Sequence, residues 1–379
     1  MWYNNLGDYM IDYILKYGNY TFLEEPFNEV DNLVFSVLAY IDYNEIVSNN
    51  NQNKKTLEKV GQEFFNKHKN LKSYLKKQIF AVRNGIKILD LVRNTKRFKD
   101  ILLYNYSYIG DKLQQFSAVT VEINSKLIYV AFEGTDQLLS GWEEDFRMVY
   151  EFPVEAQKAA INYLNKFTFR NKKIIVGGHS KGGNLALVSS MYTNFIVKRK
   201  IIKIYSNDGQ GLRLKQKNSP QYKSIKERYT HIIPNYSVVG MLLRHDTDYK
   251  IVKSTKFGLE SHDALTWVTE EKEFKNAPLS RFSKTIEECL EEWLDKYTDE
   301  ERKRCVTKIF DIFREHKINS LIDIIENKKN IIKLLKSTMS IDKEVSNMFK
   351  DLFNIIKKSN IDYYVSKYIK NKKENELVN

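Results

Sequence analysis

Apolar runs rich in β-branched residues alternate with helical patterns through the middle of the chain. Residues 116–123 and 127–132 flank a polar Asn-Ser-Lys turn, and this arrangement predicts a β-hairpin. Further strands are predicted at residues 201–205, 229–233 and 249–253, with helices and loops between them. Such alternation indicates an α/β fold with a mostly parallel sheet and helices on both faces.

The two ends of the chain show helical rather than strand-like patterns. Residues 1–100 predict a mainly helical lead-in, in which Asp31 is a candidate N-cap for the apolar run at 33–41. From residue 281 the strand signals stop, and apolar stripes at helical spacing follow at 321–335 and 341–356. We therefore predict an α/β domain over 1–280 and a helical C-terminal module over 281–379, ending in a frayed tail from residue 370.

One stretch combines a buried strand, a sharp turn and a helix. The apolar run after Lys173 breaks at Gly178-His179-Ser180-Lys181-Gly182 and resumes as a helical pattern. This is the G-x-S-x-G pattern in the context that a nucleophile elbow requires. Side chains at positions 178 and 182 would collide with the neighbouring strand and helix, which explains the glycines. The alternative is a glycine-rich turn with an incidental serine.

A serine nucleophile needs a base and an acid, and these follow it in the chain of an α/β-hydrolase. His262 lies in a loop after the last predicted strand, where it can reach over the strand tips, whereas His179 is badly aimed to act as the base. Asp208 follows the strand at 201–205 in a glycine-rich turn at the edge where Ser180 stands. Asp246 and Asp248 are rival acids, although they precede a strand.

The remaining requirement is a pair of donors for an oxyanion. The backbone N–H of Lys181, the residue after the serine, is one candidate. The other is the N–H of Thr135, with its hydroxyl as a further candidate, because Thr135 follows the strand at 127–132. No spacing of His, Cys, Asp and Glu suggests a metal site, so we expect no metal and no cofactor.

Composition narrows the functional classes. The 379 residues are 42% hydrophobic, which supports a packed core. The net charge is +13, and residues 166–228 hold fifteen Lys and Arg against Asp208 and Glu227. The charges are scattered rather than interleaved with stacking aromatics, which favours solvated faces over nucleic-acid binding and leaves a membrane surface as a weaker alternative. With two cysteines, no basic leader and no long apolar run, we expect a cytoplasmic protein.

Several segments together resemble a known family. They are residues 132–136 (Phe-Glu-Gly-Thr-Asp), 141–146 (Gly-Trp-Glu-Glu-Asp-Phe), 178–186 around the serine and 205–209 (Tyr-Ser-Asn-Asp-Gly). They resemble the Mbeg-like family of bacterial α/β-hydrolases, which is related to class 3 lipases, and the resemblance extends over about residues 8–275. It implies that 1–280 is a lipase-like α/β-hydrolase domain. Two positions depart from the family pattern, with Glu133 where Arg is usual and Gln210 where Pro is usual. Class 3 lipases also place the acid after the next strand, where residues 233–237 offer no carboxylate.

These observations predict a serine hydrolase that cleaves a lipid or acyl ester, with Ser180, His262 and Asp208 as the triad. The expected partner is a small-molecule ester or lipid, and the sequence does not indicate an oligomeric state. The alternative is a catalytically idle hydrolase fold that serves as a scaffold or binding module through its C-terminal helices.

Overall fold

The N-terminal region is helical and packs on one face of the sheet. The computed structural model describes residues 9–111, 114–135, 139–246, 248–316, 318 and 343–358. The helices of the lead-in are α1 (Tyr9–Tyr17), α2 (Glu29–Leu38), α3 (Leu57–Lys67), α4 (Leu71–Lys76) and α5 (Phe80–Val92).

The prediction that Asp31 caps the second helix is wrong. Asn28 is the N-cap of α2, and its side chain accepts the N–H groups of Val30 and Asp31. Asp31 is instead the third helical residue and accepts the Asn28 N–H in return, which completes a capping box. The buried Asp31 carboxylate is also paired with Arg97. The N-cap lies three residues before the predicted one, because Asn28 and Asp31 are both residue types that can begin a helix.

In the described residues, eight strands form one sheet in the order in which they occur along the chain. The strands are β1 (Lys55–Thr56), β2 (Leu102–Gly110), β3 (Gln115–Asn124), β4 (Leu127–Phe132), β5 (Lys173–His179), β6 (Ile201–Asn207), β7 (Tyr229–Pro234) and β8 (Lys250–Val252). Pairing is antiparallel from β1 to β4 and parallel from β4 to β8. The predicted hairpin is therefore confirmed as β3–β4, and the fold is that of the α/β-hydrolases.

Two strands of this eight-stranded sheet were not predicted. Residues 54–100 were expected to be helical throughout, but Lys55–Thr56 pairs with β2 at the edge of the sheet. Strand β2 itself gave no clean period-2 signal, because its register with β3 shifts between Tyr104 and Ser107. Asn105, inside that irregularity, has a φ of +53°. A bulge of this kind breaks the alternation of apolar and polar side chains that identifies a strand in a sequence.

Apolar side chains on alternate positions of the parallel strands enter two different cores. Tyr129, Ala131 and Ile175 pack with the N-terminal helices, whereas Ile128 and Val176 pack on the opposite face. Burial on both faces is what makes these strands read as continuous apolar runs. The helices between the later strands are α6 (Leu139–Arg147), α7 (Glu155–Asn165), α8 (Lys181–Tyr192), α9 (Phe195–Lys200), α10 (Leu214–Lys217) and α11 (Pro220–Lys223). A short hairpin, β9 (Thr269–Glu270) and β10 (Glu273–Phe274), follows β8.

The C-terminal helices share a core with the sheet. They are α12 (Arg281–Lys296), α13 (Asp299–Glu315) and α14 (Lys343–Lys358). Their buried residues Phe282, Trp293 and Met348 join Ile233 of β7 and Met241 in one cluster. The predicted stripe at 321–335 and the tail from 370 lie outside the described residues.

Candidate active site

Ser180 occupies a strained turn between β5 and α8. Its backbone has φ +59° and ψ −132°, a conformation that costs a non-glycine residue about 1–3 kcal/mol. The neighbouring glycines make this turn possible. A Cβ on Gly178 would lie 2.3 Å from the carbonyl carbon of Gly182, and one on Gly182 would lie 2.2 Å from the carbonyl oxygen of Phe132. The Ser180 N–H donates to the Asn207 carbonyl at 2.9 Å, which ties the turn to the end of β6.

Asp208 and His262 meet at the same edge of the sheet. His262 Nδ1 lies 2.6 Å from Asp208 Oδ2, although the two residues are 54 positions apart. Asp208 follows β6, is fully buried and has a φ of +50°. Its other oxygen, Oδ1, accepts the Ser237 hydroxyl at 2.5 Å and the Gly240 N–H at 3.1 Å. The carboxylate is thus held on both oxygens, with one of them directed at the imidazole.

The rival carboxylates lie elsewhere. Asp246 forms an exposed ion pair with Lys226, with an Oδ2–Nζ distance of 3.1 Å, and Asp248 is also exposed. Among the other histidines, His231 lies within β7 and His316 ends α13 at the surface.

His179 anchors the loop that carries His262. Its Nε2 lies 2.8 Å from the His262 carbonyl oxygen, and its Nδ1 lies 2.9 Å from the Tyr40 hydroxyl. Because a carbonyl only accepts, Nε2 carries the proton and Nδ1 accepts from Tyr40. Burial, and next the adjacent His262, hold the pKa of His179 well below its usual range. His179 is therefore neutral, and its ring packs 4.4 Å from that of His262 between centroids.

The two predicted oxyanion donors lie beside the elbow. Lys181 begins α8, so its N–H is among those without an intrahelical partner at the positive end of the helix dipole. Thr135 follows β4 and is buried. Its hydroxyl donates to Asp145 Oδ2, so that hydroxyl serves the α6 helix rather than standing open toward Ser180.

A buried ion pair joins α6 to the elbow helix. Lys181 Nζ lies 3.0 Å from Glu144 Oε2 and donates to the Gln115 carbonyl at 2.8 Å, and neither charged side chain is exposed. Glu144 also accepts the Gln115 and Ala156 N–H groups. Glu144 and Asp145 therefore hold the helix beside Thr135, a role that sequence reasoning did not assign. The sequence signal available for this role was that both residues lie in the 141–146 segment, which carries part of the family resemblance.

The loop after Asp208 is also fixed from the elbow helix. The Asn184 side-chain amide donates to the carbonyls of Gln210, at 3.2 Å, and Gly211, at 2.8 Å. Asn184 in turn accepts a hydrogen bond from Gln157 at 2.8 Å. These buried amides were missed by the sequence analysis because their partners are distant in the chain.

Ser180 lies in the wall of a largely apolar cavity of about 120 Å³ that is partly open to solvent. Helices α6, α12 and α13 supply most of the wall. The lining residues are Trp142, Asp145, Phe146, Val149, Ser180, Gln210, Val239, Leu242, Leu243, Leu290, Trp293, Leu294, Cys305, Val306 and Ile309. The C-terminal helices thus form one side of the space that the serine faces.

Cys305 is the other nucleophilic side chain in this wall. It is buried, and burial raises the pKa of its thiol to about 12. A thiol in that state supplies almost no thiolate at neutral pH and is a poor nucleophile. No cluster of three His, Cys, Asp or Glu side chains suited to a metal ion occurs within the part of the chain that the structure describes. None of the described helices is long and apolar enough to cross a membrane.

Comparison with known proteins supports the family assignment. The family model of the Mbeg1-like proteins matches residues 92–311, more than half of the chain. The chain belongs to the Mbeg1-like family. The match includes β2–β8, the elbow, Asp208 and His262, as well as helices α12 and most of α13. No curated protein matches the chain.

Solved structures similar to this Mbeg1-like chain include three lipases. A fungal lipase in complex with an inhibitor is 15% identical, with 40% of this chain and 62% of that chain covered and a TM-score of 0.30. The Rhizomucor miehei lipase–propeptide complex is 14% identical, with 43% and 58% covered and a TM-score of 0.29. M37 lipase is 14% identical, with 55% and 68% covered and a TM-score of 0.30. The chain spans less than two thirds of the first two lipases, and TM-scores this low carry no argument about activity.

Proposed function

We propose that this Mbeg1-like protein is a serine hydrolase that cleaves a lipid or acyl ester. The observation that carries the proposal is the 2.6 Å contact between His262 Nδ1 and Asp208 Oδ2 beside a serine in strained elbow geometry. A histidine–carboxylate pair next to such a serine is the arrangement by which a hydroxyl is made nucleophilic.

The reaction follows from these three residues. His262 accepts the Ser180 proton on Nε2 as the Ser180 oxygen attacks the ester carbonyl. Asp208 holds the Nδ1–H tautomer and stabilises the imidazolium that forms. The N–H groups of Thr135 and Lys181 stabilise the oxyanion, a contribution of about 2.7–4 kcal/mol per donor. His262 then protonates the leaving alcohol, and water attacks the acyl-enzyme by the same route in reverse.

The cavity supports an acyl substrate. Its wall is apolar over the face made by Leu290, Leu294, Val306 and Ile309, all from the C-terminal helices. An alkyl chain would be desolvated against these residues, with a gain of about 0.8 kcal/mol per buried CH₂. We therefore include in the proposal a division into a hydrolase domain, 1–280, and a C-terminal module, 281–379, that completes the substrate site.

In this proposal the reaction needs no metal or cofactor, and the substrate is a small-molecule ester. We further propose that the protein works in the cytoplasm. Binding to a membrane surface is a weaker alternative to a purely small-molecule partner, and we do not propose nucleic-acid binding.

A covalent probe tests the proposal directly. The full-length protein should be labelled by a fluorophosphonate and should hydrolyse p-nitrophenyl esters of increasing acyl length. Ser180→Ala should abolish both, since loss of a triad nucleophile costs on the order of 10⁶ in kcat. Ser224→Ala, at an exposed serine, is the matched control and should retain both activities. Residual activity of Ser180→Ala within about tenfold of the parent would contradict the proposal, and a parent that neither reacts nor hydrolyses would favour the idle scaffold.

A further inference from the structure

The fold gathers exposed apolar and basic side chains at the edge of the sheet where the parallel strands begin. Strands β5 and β6 are adjacent and parallel. The segments that lead into them, 165–172 and 194–200, carry Phe169, Phe195 and Ile196, which are 96%, 70% and 50% exposed. Exposed apolar side chains that occur singly need no explanation, but a group of them at one place marks an interaction surface.

Polar side chains hold the two segments together. Asn165 Oδ1 accepts the backbone N–H and the side-chain amide of Asn194, both at 2.9 Å. The same amide donates to the Thr168 hydroxyl at 2.8 Å. Because Phe169 and Phe195 directly follow Thr168 and Asn194 in the chain, the two exposed rings belong to one connected surface.

Five exposed cations lie at the same edge as these apolar side chains. They are Lys126, Lys166, Arg170, Lys173 and Arg199. Lys173 begins β5, and its N–H donates to the Lys126 carbonyl at 2.9 Å, which places the β3–β4 turn beside the two segments. None of the five forms an ion pair with a carboxylate in the part of the chain that the structure describes. We call these cations, together with the three apolar side chains, the strand-start patch.

Carboxylates near this edge do not cancel its charge. Glu122 of β3 is already shared by two further cations, Lys54 and Lys172. Glu227 precedes β7, the strand beyond β6, and Asp208 lies at the opposite edge of the sheet. Lysines and arginines that are scattered along the sequence therefore form a local cluster of positive charge in the fold.

We propose that the strand-start patch docks the protein on an anionic membrane surface. Aromatic and aliphatic side chains that enter the headgroup region, beside Lys and Arg that attract anionic lipids, are the arrangement by which proteins lie on a membrane. The membrane contact that was the weaker alternative in the proposed function thereby acquires a specific surface. Ile196 favours a membrane over a nucleic acid, because an aliphatic side chain has no ring on which a base could stack.

The position of the patch makes docking independent of the proposed hydrolysis. Strand β5 is seven residues long, so Ser180 at its end lies about 20 Å from the patch at its start. A docked protein therefore turns its catalytic edge away from the bilayer and takes its ester from the aqueous side. The patch is an anchor and not an entrance for the substrate, which goes beyond the proposed function.

Binding to vesicles tests the proposal in the full-length protein. Vesicles of phosphatidylcholine with about 30% phosphatidylserine should bind at least about tenfold more tightly than vesicles of phosphatidylcholine alone. Raising the salt from about 0.1 M to about 0.5 M should weaken the binding, because salt screens exposed charges. Equal binding to both vesicles, or binding to neither, would overturn the proposal.

A charge variant tests whether the patch makes the contact. Lys173→Gln combined with Arg199→Gln should weaken binding to the anionic vesicles by about fivefold per cation, or about 25-fold in total. Lys72→Gln combined with Lys76→Gln removes the same charge from two exposed lysines of α4 and should change binding by less than about threefold. An equal loss in the two pairs would show that net charge, and not this patch, determines binding.

An apolar variant tests insertion at constant charge. Phe169→Ser combined with Phe195→Ser should weaken binding to the anionic vesicles by at least about tenfold. Leu15→Ser combined with Leu23→Ser is the control, since these side chains are 62% and 90% exposed outside the patch. The charge variant decides the matter independently if the phenylalanine variant has a lowered Tm. All four variants should keep the parental reaction with p-nitrophenyl esters, and the vesicle measurements are decisive even if the parent proves to be no esterase.

A fluorescent label tests the orientation. The two cysteines of the chain are buried, so an environment-sensitive maleimide attaches selectively to Asn171→Cys, at an exposed position within the 165–172 segment. Its emission should shift to the blue on addition of anionic vesicles, whereas a label on Lys72→Cys should not respond. The reverse pattern would overturn the proposal. Tighter binding of single-stranded DNA than of anionic vesicles, lost in the phenylalanine variant, would also overturn it and assign the patch to a nucleic acid.

Discussion

The hydroxyl of Ser237 donates to Oδ1 of Asp208 at 2.5 Å. Ser237 lies in the segment after β7, which is where class 3 lipases place their acid. In this chain, that segment supports a carboxylate from the preceding strand instead of supplying one. The same loop adds a second donor, the Gly240 N–H. The segments after β6 and after β7 meet at Asp208 because β6 and β7 are adjacent parallel strands that end at the same edge of the sheet.

Asp208→Asn should lower kcat by about 10⁴ while leaving the fold intact. An amide cannot fix the imidazole in the required tautomer or stabilise the imidazolium. Circular dichroism and the melting temperature would check the fold, and ester hydrolysis would measure the loss. Asp246→Asn is the control, because Asp246 pairs with Lys226 at the surface. If Asp246→Asn loses as much activity as Asp208→Asn, Asp208 is not the acid.

Removal of residues 281–379 should lower solubility. Ile233 and Met241 share a core with Phe282 and Trp293. The truncated chain loses Phe282 and Trp293, so it exposes Ile233, Met241 and the remaining wall of the cavity. Binding of a hydrophobic dye and light scattering would measure the exposed surface. In the full-length protein, Trp293→Ala should cost about 3–5 kcal/mol of stability through the cavity it creates. A soluble, monodisperse and fully active 1–280 fragment would show that the C-terminal helices are dispensable.

The buried pair Lys181–Glu144 should show strong energetic coupling. Lys181→Met leaves an uncompensated carboxylate and should cost about 3–5 kcal/mol in the free energy of unfolding. Glu144→Gln should cost a similar amount by leaving the ammonium unpaired, whereas the double variant should recover about 1–3 kcal/mol relative to the sum.

Denaturant unfolding of the two single variants and the double variant measures this coupling. The exposed pair Lys158–Glu155 is the control, with an Nζ–Oε1 distance of 2.6 Å and both side chains more than 40% exposed. Its coupling should stay below about 1 kcal/mol. Equal coupling energies in the two pairs would mean that burial does not determine the strength of the ion-pair interaction.

Stability should fall as the pH drops below about 6.5. Burial holds the pKa of His179 and His231 well below the usual range and lowers the pKa of His245 to about 4. The unfolded chain therefore takes up protons first, and each such group contributes a loss of about 1.4 kcal/mol per pH unit until its folded-state pKa is reached.

Unfolding free energies measured at pH 7, 6 and 5 check this slope. His231 and His245 stack with ring centroids 4.5 Å apart, so His245→Phe keeps a flat ring in contact while removing one titrating group. The slope between pH 6 and 5 should then decrease by about 1.4 kcal/mol per pH unit. An unchanged slope would exclude His245 as a contributor.

The elbow and the parallel strands could be predicted because their signals are local. Ser180, with glycines at 178 and 182 between an apolar run and a helical pattern, identifies itself within a few residues. The position of Asp208 at the sheet edge where Ser180 stands could be inferred as well, because parallel strands end at one edge of a sheet. The position of His262 could be inferred from its place in a loop after the last predicted strand, which is β8.

Features that depend on distant partners could not be predicted. The Lys181–Glu144 pair joins residues 37 positions apart, and lysine after the serine gave no sign that its side chain would be buried. Gln210 was noted only as a departure from a family pattern, since nothing local shows that this residue lines a cavity. The walls of that cavity come from helices at the other end of the chain, which periodicity alone does not place.

The hydrogen bond from His179 to the His262 carbonyl has a consequence for how the three proposed residues stay together. His262 is held by its backbone from the end of β5 and by its ring from Asp208 at the end of β6. These strands are hydrogen-bonded neighbours, and their spacing of about 4.8 Å fixes the distance between the two attachments. Motion of the His262 loop by itself therefore cannot misalign the imidazole without breaking one of these two partly buried contacts. Separation of β5 from β6, by contrast, would dismantle the whole arrangement in a single step.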